Sequence, residues 1–337
     1  MNILLTSVGR RSYLVEYFKQ ALGSSGYVFG ANSEAETSGM VGADKAFIVP
    51  KVNSSEYIPV LLKICQENQV RLVISLFDID LPYLSAAKSQ FEAVGVTLMV
   101  SDPFVIDVAN DKWKTFEFLQ NNKIKTPLTF KQLSMFKFGF SNGEIKFPVI
   151  VKPRWGMGSM AIYQADTFEE VAFFVSYIQK QITNSYLSIL SKQEIDESVL
   201  IQEFVPGIEY GIDILNDLEA EHVVTVVKQK MAMRSGETDG AVVVNNEKVE
   251  KLANRVGESL RHIGNLDIDI LLDPKSGKPS VLEFNARFGG GYPFSHLAGV
   301  NFPRVLIDMV LKKKIKTDLI NFTVGIKSLK FIEPRRL

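Results

Sequence analysis

Over the first third of the chain, short apolar runs alternate with stretches whose apolar residues recur at helical spacing. Ile3-Leu4-Leu5-Thr6 reads as a strand and Gly9-Arg10-Arg11-Ser12 as a turn. The stretch 13–22 then places Leu14, Tyr17, Phe18, Ala21 and Leu22 on one helical face. Further strands are predicted at 28–31, 47–49 and 96–100, and helices at 57–65 and 83–93. Leu72-Val73-Ile74-Ser75-Leu76 is almost continuously apolar, as a strand covered on both faces should be. Strands alternating with helices imply a parallel, doubly wound sheet.

Beyond residue 110 the pattern changes. A helix opens at Asn110 or Asp111, either of which suits its cap, and Thr126-Pro127 marks a turn. The segment 133–146, punctuated by Gly139, Asn142 and Gly143, reads as a hairpin or loop. Strand-like runs flank a glycine loop within 148–163, and a helix is expected over 168–181. Strands follow at 199–205, 211–215 and 222–228, then a helix over 247–263. A hairpin joins 267–272 to 281–285 across Asp273-Pro274-Lys275-Ser276-Gly277.

Composition narrows the classes. At 337 residues the chain exceeds one compact core, so two or three subdomains are expected. Its 38 basic residues match its 38 acidic ones, which gives no general attraction to nucleic acid or anionic lipid. The single cysteine, Cys65, lies among Leu61, Leu62 and Ile64 and reads as a core residue. The start lacks a signal-peptide pattern, and no apolar run approaches the roughly 20 residues that span a bilayer. A cytoplasmic protein is expected. The three histidines, His222, His262 and His296, show no ligand spacing and read as structural.

The densest chemistry is in Val281-Leu282-Glu283-Phe284-Asn285-Ala286-Arg287. Strand alternation puts Glu283, Asn285 and Arg287 on one face and Leu282, Phe284 and Ala286 on the other. Asp267-Ile268-Asp269-Ile270 alternates too, so Asp269 can join that face across the hairpin. Carboxylates, an amide oxygen and a guanidinium suit a magnesium ion bridging phosphate oxygens. A solvated strand face with ordinary ion pairs is the competing reading.

Val149-Ile150-Val151-Lys152 delivers a lysine to a strand end, directly before Gly156 and Gly158. Backbone N–H groups in such a loop can approach phosphate oxygens closely. Gly156-x-Gly158-x-x-Ala161 also matches a dinucleotide fingerprint, but that needs a helix where Met160-Ala161-Ile162-Tyr163 reads as a strand. A hairpin lid fits better. Gln202-Glu203-Phe204-Val205-Pro206-Gly207 runs a strand into a turn whose freed backbone groups can pair with an adenine edge. Lys112, at the start of a helix, can reach a phosphate.

Taken in order, Lys112, Lys152 with its glycine loop, Glu203 to Glu209, Asp269 and Glu283-x-Asn285-x-Arg287 resemble the ATP-grasp superfamily. The branch most similar is that of the carbamoyl phosphate synthase large subunit. The resemblance implies an α/β and α+β architecture. A doubly wound domain (1–110) precedes a small lobe with a glycine-rich lid, beginning with a linking helix (111–198), and a C-terminal lobe with the metal site (199–337). It implies that Lys112 and Lys152 bind ATP phosphates while Gly156, Gly158 and Ser159 fold over them. Glu203 and the backbone of Phe204 and Val205 hold adenine, and Glu209 holds the ribose. Asp269, Glu283 and Asn285 carry Mg²⁺, with Mn²⁺ as an alternative, and Arg287, with Lys152, serves catalysis. Asp269 stands where the family often has Glu or Gln, and this chain has one grasp unit where the full large subunit has two.

The activity implied is ADP-forming ligation: a carboxylate becomes an acylphosphate and an amine or similar nucleophile displaces phosphate. Two other readings stay open on sequence: an ATP-binding regulatory module without turnover, and bicarbonate or carbamate phosphorylation. Partners are then small carboxylates and amines, with neither nucleic acid nor membrane, and a homo-oligomer is admitted. For the acceptor, the polar stretch 233–240, between two apolar strands, offers Arg234, Glu237 and Thr238, of which Arg234 could pair with a substrate carboxylate. Asp78 and Asp80, after a buried strand, could hold an amine at the carboxyl end of the sheet.

Overall fold

The computed structural model describes residues 1–156, 161–185, 187, 191 and 194–334. The chain opens with β1 (Asn2–Thr6), α1 (Ser12–Leu22), β2 (Val28–Asn32), α2 (Ser38–Gly42), β3 (Lys45–Ile48), α3 (Tyr57–Glu67) and β4 (Val70–Ser75). Then come α4 (Leu81–Ala86), α5 (Lys88–Ala93), β5 (Thr97–Met99) and α6 (Pro103–Asn110). The five strands pair in parallel in the order β3-β2-β1-β4-β5, so the chain winds outward one way from β1 and then the other. Leu4 and Val73 enter one apolar cluster, and Ile3, Leu5, Leu72 and Ile74 enter a second. Burial on both faces explains why these strands carry unbroken apolar runs. The helix expected over 83–93 is two short helices, α4 and α5, meeting at Ala87.

The small lobe contains α7 (Lys112–Asn121), β6 (Thr129–Phe130), α8 (Leu133–Ser141), β7 (Val149–Pro153), β8 (Tyr163–Ala165), α9 (Phe168–Thr183) and β9 (Val199–Glu203). Its sheet runs β6-β9-β7-β8 and has its own core, built on Phe136, Val149, Val151, Val171 and Ile178. The hairpin or loop expected over 133–146 is instead largely helix α8. Gly139 is there for proximity, since a Cβ at that position would lie 2.6 Å from the Phe130 ring. The helix ends at Asn142, and Gly143 takes a φ of 73°.

The remaining elements are β10 (Ile208–Asn216), β11 (His222–Arg234), β12 (Glu237–Val243), α10 (Glu247–Leu260), β13 (Gly264–Leu272), β14 (Pro279–Asn285), α11 (Tyr292–Leu297), α12 (Phe302–Val310) and β15 (Lys327–Leu329). Six antiparallel strands run β14-β13-β10-β11-β12-β15. One face, with Tyr210, Ile212, Ile214, Val227, Ile268, Ile270 and Phe284, shares an apolar cluster with Val249, Leu252, Ala253, Val256 and Leu260 of α10. That cluster continues into the first domain, so the parallel sheet and the six-stranded sheet are built on common cores.

Alternation along β14 is interrupted once. Asp269 lies opposite Glu283 but Ile270 lies opposite Val281, so Leu282 is an extra residue. This bulge lets Val281 point into the core while Glu283 points away from it, and it leaves Leu282 only partly buried where inward packing was expected. The Val281 N–H donates to the carbonyl of Lys125, 2.9 Å away, on the segment leading into the small-lobe sheet. Among the described residues, no helix is long and apolar enough to cross a membrane.

Candidate functional site

The polar face of the six-stranded sheet follows from register. Asp269 pairs with Glu283, Asp267 with Asn285, Gly211 with Asp269, and Asp213 with Asp267; on the other side Gly211 pairs with Lys228. Side chains in register share a face, so Glu283 and Asn285 gather with Asp267, Asp269, Glu209, Asp213, Lys228 and Lys230. Gly211 leaves room for them: a Cβ there would come within 3.3 Å of Lys230 Cε.

Lys230 sits between Asp269, at 2.7 Å, and Glu209, at 2.5 Å, and this pairing raises its pKa against the pull of burial. Asp269 is pushed up to about 7, chiefly by burial; Lys230 works against this, and the charges of Asp267, Glu209 and Glu283 add to it. Burial acts on Glu283 in the same direction, but Lys112, Lys152 and Lys230 outweigh it and hold that carboxyl below its ordinary value. Asp267 is raised by burial and by Asp213. The face therefore concentrates more negative charge than its lysines fully relieve.

The small lobe supplies cations from the other side. Lys152, at the end of β7, is almost fully buried and donates to Gln202 Oε1 at 2.8 Å. Burial pushes its pKa down to about 8, with Lys112 adding and Glu283 and Asp269 opposing. Lys112 lies 3.5 Å from Glu283 and donates to the carbonyl of Gly156. Its position is fixed by Asp111, the cap of α7, whose carboxylate accepts from the N–H of Trp113 at 2.9 Å. The same carboxylate takes a bidentate pair from buried Arg154, at 2.7 to 3.0 Å. Removing one partner of such a buried pair costs roughly 3–5 kcal/mol, so Arg154 locks the loop after β7 to the helix that carries Lys112. Of the predicted loop residues, Gly156 takes a φ of 141°, while Gly158 and Ser159 lie outside the described residues.

Arg287 connects this face to the first domain. Its Nε and Nη2 donate to Asp78 Oδ2 at 2.9 and 2.8 Å, and its Nη1 lies 3.7 Å from Asp267. Burial would lower its pKa, but Asp78 and Asp267 more than reverse this. Gly289 must stay small, because a Cβ there would lie 2.2 Å from Asp267 Cγ.

Other predicted residues are placed differently from one another. The Glu203 carboxylate accepts from the Leu128 N–H at 3.1 Å, and the side chain of Phe204 is exposed. Arg234 and Glu237 are register partners across a tight turn in which Ser235 and Gly236 have φ of 49° and 78°. Arg234 donates to Asp239, Glu237 lies 3.3 Å from Lys330, and Thr238 is buried. The loop expected between two strands is thus the hairpin of β11 and β12. Asp80 is fully buried and accepts from the hydroxyls of Thr6 (2.8 Å), Ser7 (2.8 Å), Tyr57 (3.1 Å) and Ser75. Its hydrogen-bonding capacity is spent inside the first domain, and it is not brought to the sheet face as Asp78 is.

Sequence reasoning did not single out Gln202, Asp267, Lys228, Lys230 or Arg11. Strand alternation would have found Lys230 and Lys228, two apart on β11, and Asp267, two before Asp269; Gln202 and Arg11 acquire meaning only from contacts far along the chain.

Comparison with known proteins bears on the family and the fold. A model of the ATP-grasp domain matches residues 109–291, and one of the PylC-like N-terminal domain matches residues 3–99. The carbamoyl phosphate synthase large chain of Pseudothermotoga lettingae is 25% identical over 244 residues, 68% of this chain and 20% of that protein. The large chain of Pyrococcus furiosus is 24% identical over 239 residues, 67% of this chain and 21% of that one. The chain thus spans about a fifth of the length of these curated relatives. Among solved structures, an L-amino acid ligase from Bacillus licheniformis superposes with a TM-score of 0.73 at 19% identity, covering 96% of this chain and 78% of that one. The biotin carboxylase of Campylobacter jejuni, solved as a beta-gamma-ATP complex, superposes with a TM-score of 0.75 at 14% identity, covering 95% and 73%. With its grasp-domain match extending over more than half its length and its parallel sheet in front, the chain belongs to the ATP-grasp domain family.

Proposed function

We propose that this chain is an ADP-forming ligase that activates a small carboxylate by phosphorylation from ATP and joins it to an amine. The observation that carries this is the opposition of two charge sets: Glu283, Asn285 and Asp269 on one sheet face, and Lys112 and Lys152 reaching toward it from the small lobe. In this reading Lys112 and Lys152 bind the triphosphate, and Gly156, whose carbonyl accepts from Lys112, lies beside it. The backbone of Glu203, Phe204 and Val205 meets the adenine edge, and Glu209 exchanges its ion pair with Lys230 for a ribose hydroxyl.

The donor set fits Mg²⁺, or Mn²⁺, because its oxygens are hard ligands and Asp269 is crowded by like charge that a divalent cation would relieve. Among the described residues no group of three Asp, Glu, His or Cys side chains is arranged to hold a metal ion by itself, and in this reading the amide oxygen of Asn285 joins the donor set. Bound there, the cation would neutralise phosphate charge.

A carboxylate oxygen attacks the γ-phosphorus and the bond to the bridging oxygen of ADP breaks, giving an acylphosphate. Arg287 stabilises charge on the transferred group, and Lys152 holds the phosphate chain in line. The amine then displaces inorganic phosphate and loses a proton, forming the amide. Arg234, Glu237 and Thr238 on the β11–β12 hairpin and Asp78 beside Arg287 border the acceptor side, whereas Asp80 acts only from inside the first domain.

The test is ADP release from MgATP across a panel of carboxylates and amines. Stimulation by one acid–amine pair, abolished in Glu283→Gln and in Asn285→Ala, is the expected result. Full activity in both variants would remove the metal assignment, and no release with any pair would remove the ligase reading.

A further inference from the structure

The last strand of the six-stranded sheet is an edge. β15 pairs on one side only, antiparallel to β12, with Gly240 opposite Leu329 and Val242 opposite Lys327. The bonds toward β12 come from even-numbered residues of the segment: the Val243 N–H donates to the Ile326 carbonyl at 2.9 Å, and the Lys330 N–H donates to the Asp239 carbonyl at 2.8 Å. The backbone groups of Lys327, Leu329 and Phe331 therefore point to the open side. Among the described residues no other strand meets them there.

Proteins usually blunt such an edge with charge, proline or a covering loop. Here Leu329 is 67% exposed, Phe331 81% and Ile332 77%. Leu329 lies across Gly240, where a Cβ would come 2.5 Å from its Cδ2, so the neighbouring strand offers no side chain to cover it. Lys327 and Glu333 flank this apolar pair; both are exposed, and among the described residues neither makes an ion pair. Pro334 follows, and having no N–H it ends any ladder at Glu333.

One face of the segment thus reads Lys327-x-Leu329-x-Phe331-x-Glu333, with a positive end, two apolar residues and a negative end. Turned end for end, it matches itself. We propose that β15 pairs antiparallel with β15 of a second copy of this chain, about a two-fold axis at Lys330. Lys327 then lies opposite the partner's Glu333, and Leu329 lies opposite the partner's Phe331, each pair occurring twice. The outward backbone groups meet in this register, because it sets odd-numbered residues opposite odd-numbered ones. A shift of two residues would set Glu333 against Leu329 or Lys327 against Phe331, so the charges select the register. The two Lys330 side chains meet at the axis on the other face, where each keeps its own Glu237 at 3.3 Å and its own Phe294 ring at 5.9 Å. The two six-stranded sheets become one continuous sheet. The pairing does not depend on the ligase reading.

Sedimentation equilibrium of the full chain over a concentration series tests this. Association should stop at the dimer, since the pairing consumes the open side of β15 in both copies. Phe331→Asp should weaken the dimer by about tenfold or more. Lys327→Glu and Glu333→Lys should each weaken it severalfold, and the two together should restore it, because opposite charges again face each other. All three positions are exposed, so the circular dichroism of each variant should match that of the parent chain. A chain that stays monomeric at every concentration, a dimer indifferent to Phe331→Asp, growth beyond two copies, or a double variant no better than the single ones would each overturn the proposal.

Discussion

The carboxylate of Asp80 and those of the β13–β14 face are both withdrawn from water, and the protein compensates them in opposite ways. Asp80 is ringed by four hydroxyls, each donating into it, with no opposing carboxylate among these partners. Burial still raises its pKa, and the hydroxyls pull it back. Asp269, by contrast, is surrounded by Asp267, Glu209 and Glu283, and its relief comes from one shared lysine. A carboxylate satisfied by neutral donors needs nothing further and serves the fold. Carboxylates packed against one another are incomplete without a cation, and that incompleteness marks the site.

The sharpest way to break this contrast is to neutralise one member of each set. Glu283→Gln should cut MgATP-dependent ADP release by on the order of 10²–10³-fold, measured at saturating substrate, without lowering the thermal midpoint. Asp80→Ala should do the converse: four hydroxyls lose their acceptor, and stability should fall by roughly 2–4 kcal/mol in denaturant titration, while nucleotide affinity in the folded fraction is retained. If Asp80→Ala instead abolished nucleotide binding at full stability, the distinction between the two sets would be wrong.

Gly289→Ala gives a smaller effect. The added methyl would meet the Asp267 carboxylate, and relieving that overlap should cost about 1–3 kcal/mol and lower ADP release, both readable on one sample. The pH dependence comes next. With Lys152 at about 8, its charged form is lost as pH rises through that value. MgATP affinity, measured with the free protein, should therefore weaken above pH 8 toward tenfold per unit if charge on Lys152 dominates. For stability the sign is fixed by the depressed folded value: the unfolded chain holds the proton to a higher pH. The penalty for a buried charged lysine is thus full below 8 and disappears as pH rises toward the ordinary lysine range. The smallest change is Gln202→Glu, which puts a carboxylate where Lys152 finds a neutral oxygen. The alkaline limb should move to higher pH, and an unmoved limb would mean that Lys152 does not govern it.

Much of this is legible in the amino-acid sequence. The alternation of polar and apolar residues at 281–287 and 267–270 assigned the polar sheet face correctly at Glu283, Asn285 and Asp269, since strand register is a local property. The parallel first sheet followed from its doubly buried strands. Leu282 escaped because a bulge reverses alternation without any mark in residue type, and α8 escaped because Gly139 and Gly143 look alike in sequence. One of these glycines admits the Phe130 ring and the other follows the helix end. Asp78 and Asp80 share a tripeptide, but only folding shows that the first reaches Arg287 and the second is enclosed by hydroxyls from β1, the residue after it, α3 and β4. Arg11 and Arg287, which both donate to the Phe288 carbonyl, are brought together by a fold-wide path that no spacing rule could show.

The hydrogen bond from Val281 to Lys125 has a mechanical consequence. It fastens the segment leading into the small lobe to the very strand that carries Glu283 and Asn285, one residue from the irregularity in that strand. Any swing of the small-lobe sheet must either turn about this fastening or break it, so the lobe that brings Lys152 is tethered to the strand that carries the carboxylates.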